Sequence, residues 1–273
     1  MSPAIRVTLL GTGPSQGVPS LGGPEGLGSW GDCDPDEPRN RRGRTSALIT
    51  SSEGVLLVDA GPDCRAQLLA ARVSRVDAML VTHAHADHIA GLDELRAINR
   101  AMDRVLPLHA SEATLAELRL RFAYAFQPPT RGFFRPCLDG QVVQPGTQVT
   151  LAGMAAELLD LDHGVMSSLG LRIGSFAYTT DVIRMPPESL ARLHGLDTWV
   201  VSCMQPGATN PVHAGLDQVL AWWRVIQPRR TVPDRSRKTV SRHRQTRLLH
   251  RKAHRHRRDE RYAKRCQPRK DHQ

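Results

Sequence analysis

Thr82-His83-Ala84-His85-Ala86-Asp87-His88 gathers three imidazoles and a carboxylate into one short run. Neutral imidazole is the commonest side-chain metal ligand, and carboxylate adds a hard oxygen donor. Metal binding accounts for that density better than a polar loop with several surface histidines. Upstream, Val76-Asp77-Ala78-Met79-Leu80-Val81 reads as a buried strand, and downstream Ile89 to Arg96 reads as the start of a helix. The cluster therefore belongs to a strand-to-helix loop, where ligands converge from one rigid edge. His83 and His85, two residues apart, can reach one ion, while Asp87 and His88 point on toward a second.

Working outward, strand signals recur on both sides of this loop. Ile5 to Leu10 is followed by a Gly/Pro-rich loop to about Arg44, and then Ser46–Thr50 and Val55–Asp59 read as a hairpin. Asp63–Arg72 has helical periodicity, with Leu68 and Leu69 expected on the buried face and Gln67 and Arg72 away from it. A second helix is expected over Leu92–Asp103, and a third from an N-cap at Ser111 to about Phe126. Strands return at Gln148–Leu151, Ala155–Leu159, Leu169–Ile173, Phe176–Thr179 and Thr198–Ser202, before a helix over Leu216–Ile226. Hairpins mixed with helical crossovers give an α/β fold of sheets covered by helices.

One loop does not complete two coordination spheres, so further ligands are expected at other strand ends. His163 follows Leu158-Leu159-Asp160-Leu161-Asp162 and precedes Gly164, and Asp181 follows Tyr178-Thr179-Thr180. Alone, each would read as a capping or core polar residue; beside the histidine loop, both become candidate ligands. With Val58-Asp59-Ala60-Gly61 and the opening Leu9-Leu10-Gly11-Thr12-Gly13-Pro14-Ser15-Gln16-Gly17-Val18-Pro19, these motifs resemble the metallo-β-lactamase superfamily of hydrolases over most of residues 1–226. Within it, the chain looks most like the phosphoribosyl cyclic phosphate phosphodiesterases of phosphonate metabolism and their bacterial relatives. Pro38-Arg39-Asn40-Arg41-Arg42-Gly43-Arg44-Thr45-Ser46 adds to that similarity.

The resemblance implies an αββα sandwich with a dinuclear site at one sheet edge. Carried over, His83, His85 and His163 hold one divalent ion, Asp87 and His88 hold the second, and Asp181 bridges them. Asp59 orders the metal loops without binding metal. His213 and Asp87 are the candidate catalytic residues, with His213 placed to protonate a leaving alkoxide. The nitrogen and oxygen donors suit Zn²⁺, with Mn²⁺ also compatible. Two such ions lower the pKa of a bridging water to about 7 and clamp an in-line displacement at phosphorus. The expected substrate is a small cyclic or diester phosphate, with Arg41, Arg42 or Arg44 available to hold it. An RNA-processing nuclease of the same superfamily is the alternative, and a nucleic-acid-binding protein with a degenerate core is a third reading. A homodimer is compatible with the resemblance.

The charge is unevenly placed. Of the 37 Lys/Arg and 27 Asp/Glu behind the net +10, residues 229–273 hold 18 and 4, leaving 19 and 23 in residues 1–228. The reading is a mildly acidic hydrolase domain over 1–228 and a basic tail of low order over 229–273. The related enzymes end on a strand followed by a histidine that completes the second metal sphere. Here Gln227-Pro228-Arg229-Arg230-Thr231 begins as that strand should, and the tail is expected to replace it. The tail reads either as a frameshift product, rich in Arg, Pro and His, or as an arm for nucleic acid phosphates. Five scattered cysteines form no C-x-x-C pair, no apolar run reaches the ~18–20 residues of a membrane helix, and no leader pattern precedes Ile5, so a cytoplasmic protein is expected.

Overall fold

The computed structural model describes residues 4–129, 131–204 and 211–234. Strands β1 (Arg6–Gly11), β2 (Ser46–Thr50), β3 (Val55–Val58), β4 (Ala78–Leu80), β5 (Leu106–Ala110) and β6 (Leu138–Val142) form one six-stranded sheet in that order. A second six-stranded sheet runs β12 (Arg230–Asp234), β11 (Thr198–Ser202), β10 (Phe176–Thr179), β9 (Ser167–Ile173), β8 (Met154–Asp162), β7 (Gln148–Leu151). Each sheet has an antiparallel part built from hairpins and a parallel part built from crossovers. β1–β2–β3 and β7–β8–β9–β10 are antiparallel, whereas β3–β4–β5–β6 and β10–β11–β12 are parallel.

The alternation of side chains along the strands makes three apolar layers. Ala47, Ile49, Leu56, Val58 and Leu80 of the first sheet meet Leu158, Leu171, Tyr178 and Val200 of the second. On the outer face of the first sheet, Leu57, Met79 and Leu108 pack against α1 (Cys64–Ala70), α3 (Arg96–Met102) and α4 (Glu112–Arg121). On the outer face of the second, Leu161, Ala177, Trp199 and Val201 pack against α5 (Pro187–Ala191) and α6 (Leu216–Ile226). This is the expected αββα sandwich. Trp222 and Trp223 of α6 are both buried in that last layer.

Three local expectations are corrected. In α1, Leu69 is 63% exposed and Gln67 is buried, because Gln67 turns inward to donate to Arg44 O at 2.7 Å. A polar side chain with a backbone carbonyl to satisfy displaces the periodicity argument there. The helix expected over Leu92–Asp103 is a 3-10 turn (Leu92–Leu95) running into α3. The last strand is not replaced by basic sequence, since Arg230–Asp234 pairs in parallel register with Thr198–Ser202. Thr231, Pro233 and Asp234 are buried there, and Pro233 is tolerated because β12 is the edge strand of its sheet. The low order expected of the tail concerns residues that, beyond Asp234, lie outside the described ones, as do the tail histidines His243, His250, His254 and His256. Among the described residues no helix is long and apolar enough to cross a membrane.

Candidate metal centre

The C-terminal ends of β3, β4, β8 and β10 share one edge of the sandwich, and each delivers a polar group to it. β4 runs into Thr82 and the histidine loop, whose second half is the short helix α2 (Ala86–Ile89). β8 delivers His163, β10 delivers Asp181, and β3 delivers Asp59. Asp59 and Asp181 both adopt left-handed backbone, with φ of 60° and 46°, a conformation that non-glycine residues hold only where the surroundings fix it.

Ring nitrogens and carboxylate oxygens converge closely. His83 Nε2 lies 3.0 Å from His85 Nδ1, which lies 3.2 Å from His163 Nε2. Asp181 Oδ2 lies 3.3 Å from His83 Nε2 and 3.5 Å from His163 Nε2. The same oxygen is 3.3 Å from His88 Nε2, which is 3.5 Å from Asp87 Oδ2. His83, His85, His163 and Asp181 make one group that could hold a metal ion, and Asp87, His88 and Asp181 make another. Every residue of the two predicted ligand sets is thus brought together, with Asp181 common to both.

Hydrogen bonds behind the rings set which nitrogen carries the proton. Val212 O only accepts, so His163 Nδ1, at 2.7 Å, is the protonated nitrogen. His88 Nδ1 donates to Asp59 Oδ2 at 2.7 Å. Thr82 Oγ1 donates to that same oxygen at 2.8 Å and so accepts from His83 Nδ1 at 3.0 Å. Thr82 N donates to Asp59 Oδ1 at 2.8 Å. In all three rings Nε2 is left as a lone pair aimed at the carboxylate of Asp181. Acceptors facing acceptors need a cation between them. Spacings of 3.0–3.5 Å also match the ~3.3 Å ligand separation of a tetrahedral ion with bonds of ~2.0–2.1 Å. The residues fit divalent metal.

The electrostatics favour the neutral form at His83 and His85, and at His88 they show the pull of the surrounding carboxylates for positive charge. Burial, with His88 nearby, pushes the His83 imidazole down to about 4, the neutral form a ligand needs. Burial also lowers His85, with His163 adding to it. Burial alone would lower His88 too, but the carboxylates of Asp59 and Asp181 hold it well above the usual histidine range.

A beta-lactamase superfamily domain matches residues 55–233, well over half of the chain. The chain belongs to the beta-lactamase superfamily. A crystal structure described as a new diphosphatase from the PhnP family superposes with a TM-score of 0.75 at 29% identity, covering 87% of this chain and 89% of that one. A Porphyromonas gingivalis protein named octanoyltransferase is 33% identical over 218 residues, 79% of this chain and 42% of that protein. A ribonuclease Z of Thermococcus kodakarensis is 27% identical over 131 residues, 47% of this chain and 40% of that one. The chain spans about two fifths of the length of these two curated relatives. It has the metallo-β-lactamase fold.

Around the two donor groups, other predicted residues have varied fates. His213 is buried, and its ring centre lies 4.9 Å from that of His163. The three candidate arginines each lie against other groups of the chain. Arg41 lies over the Trp30 ring, Arg42 is buried within 3.8 Å of Cys33 Sγ, and Arg44 Nε pairs with Asp63 at 3.2 Å. Sequence reasoning gave no role to Thr82, the first residue of the histidine loop, whose part shows only in its contacts with Asp59 and His83. It also missed Asp234 at the end of β12. Asp234 is fully buried, with its carboxylate 3.3 Å from Thr45 Oγ1, 3.4 Å from the Tyr178 hydroxyl and 3.5 Å from Thr180 Oγ1.

Proposed function

We propose that this chain is a metal-dependent phosphodiesterase acting on a small cyclic or diester phosphate. The observation that carries the reading is the pair of donor sets sharing Asp181, in which His83, His88 and His163 are held from behind through Nδ1 so that Nε2 faces the shared carboxylate. In this reading His83, His85, His163 and Asp181 hold one Zn²⁺, with Mn²⁺ as the substitute, and Asp87, His88 and Asp181 hold a second. When bound, a metal pair of this kind supplies an activated water and charge neutralisation at phosphorus. The protein contributes fixed geometry: Asp59 and Thr82 orient His88 and His83, and the Val212 carbonyl orients His163. His213, beside His163, donates a proton to the departing oxygen, a role worth typically 10²–10⁴-fold. Similarity at 29% identity to a structure described as a diphosphatase, and the weaker match to a ribonuclease Z, support phosphorus as the reacting centre.

The test is hydrolysis of bis(p-nitrophenyl) phosphate together with elemental analysis of the purified chain. Wild type should bind at least one equivalent of zinc or manganese and turn over the ester. His83→Ala should lose both, and retained hydrolysis in that variant would refute the assignment. The longer match to a protein named octanoyltransferase favours a second substrate class, medium-chain acyl esters. Hydrolysis of an octanoyl thioester in preference to the phosphodiester would establish that reading instead.

A further inference from the structure

We propose that a cleft between β1 and β12, at the opposite end of the strands from the metal centre, binds a medium-chain aliphatic carboxylic acid. This site is independent of the reaction the metal centre performs. β1 and β12 are the outermost strands of their sheets, and between them the middle apolar layer stays open. A cavity of about 660 Å³ is lined there by Ile5, Val7 and Leu9 from one side and by Phe176, Val200 and Val232 from the other. That volume lies within the roughly 300–1,000 Å³ of small-molecule sites, which are likewise apolar with a few placed polar groups. Ile5, Val7, Leu9 and Val232 pack against the layer but are only partly buried. Each keeps apolar surface in water that an aliphatic chain would cover. From Ile5 to Leu9 the cleft runs roughly 13 Å, at about 3.3 Å per strand residue, a length that takes a medium-chain tail lying along the strands.

The polar groups of the cleft gather at one end. Asp197, Thr198 and Arg230 line it where β11 and β12 begin, whereas Asp181 follows the far end of β10, which runs parallel to β11. The Asp197 carboxylate is already matched. Arg229 Nη1 lies 3.0 Å from one of its oxygens, and Thr198 Oγ1 donates to the other at 3.2 Å. Arg230 is exposed, and among the described residues it forms no ion pair. Two guanidinium groups against one carboxylate leave a net positive mouth on an apolar cleft. A tail fills the gap while its carboxylate takes a bidentate contact from Arg230. A cationic or neutral amphiphile has no answer to that guanidinium. The basic sequence that follows Asp234 is a poor match for a positive mouth, and β12 ends beside Ser202, at the metal edge.

Calorimetric titration of the full chain with sodium decanoate, kept below its micelle-forming concentration, should show a single site. Butyrate, which has the head without the tail, and decylammonium, which has the tail with the opposite charge, should each bind at least about tenfold more weakly. Arg230→Gln should weaken decanoate about tenfold and keep the melting temperature and metal content of wild type. Arg230→Glu should reverse the preference toward decylammonium, a gain that damage to the fold does not produce. Absence of binding by the full chain would overturn the proposal, the cleft then being covered by another part of the chain or by a second copy. Decanoate binding that ignores Arg230→Gln but disappears when a chelator strips the metal would overturn it too, because the acid would then sit on the metal centre.

Discussion

Asp59 shows how one carboxylate orders two candidate ligand rings from behind, His88 directly and His83 through Thr82. Its two oxygens take Thr82 N, Thr82 Oγ1 and His88 Nδ1, all within 2.8 Å. Asp59→Asn keeps the volume but presents an amide hydrogen where one acceptor is needed. Metal affinity should fall about 10–100-fold, read by competition with a chromogenic chelator, while the chain stays folded. A second carboxylate governs pH dependence away from the site. Burial would raise Asp77, but hydrogen bonds from Arg75, the Val55 N–H and Arg104 hold it below the usual carboxylate range. A folded pKa below the unfolded ~3.9 means stabilisation that is present above that value and lost as pH falls through the folded one. Asp77→Asn should cost about 1–2 kcal/mol at pH 7, and urea melts of the two proteins should draw together below pH 4. Were the gap to widen on acidification, the account of Asp77 would be wrong.

At the scale of elements, loops pass so close that some positions admit no side chain. A Cβ on Gly61 would sit 2.0 Å from the carbonyl oxygen of Asp87, so β3's exit and α2 touch backbone to backbone. Gly61→Ala should cost about 1–3 kcal/mol and displace Asp87, lowering the number of ions bound more than it lowers the melting temperature of the metal-free chain. The start of α4 offers a milder case. Ser111 was legible from sequence as an N-cap, and its hydroxyl accepts from Thr114 N at 3.3 Å. Ser111→Ala should cost about 1 kcal/mol by denaturant melt. Strands such as β2, β3, β10 and β11 were legible because their apolar runs are bounded by turn residues. α1 was placed correctly but turned wrongly, because the hydrogen bond that draws Gln67 inward is made to Arg44, distant in sequence. β12 was hidden by its neighbours: a five-residue strand beside a basic run has no period long enough to read.

For the whole molecule, the last strand changes how the chain divides. β12 lays Thr231, Pro233 and Asp234 into buried positions against β11, so the folded unit reaches at least Asp234 and the basic excess that follows is a separate question. A chain ended after Asp234 should keep its melting temperature and metal content within error of the full chain. Should the full chain bind single-stranded RNA with a steep salt dependence that the shortened chain lacks, the nucleic-acid reading of the tail would be supported; equal binding would dismiss it.

Local chemistry was enough to single out the histidine loop as a candidate metal site, because a loop with three imidazoles and a carboxylate has few other uses, and enough to place the strands that flank it. Three-dimensional packing alone decided how the candidate ligands are tuned. Thr82, Asp59 and the Val212 carbonyl fix the tautomers of His83, His88 and His163 across separations of up to 49 residues. Hydrogen-bond direction depends on which groups meet, and which groups meet is a property of the folded sheets, not of any stretch of the chain.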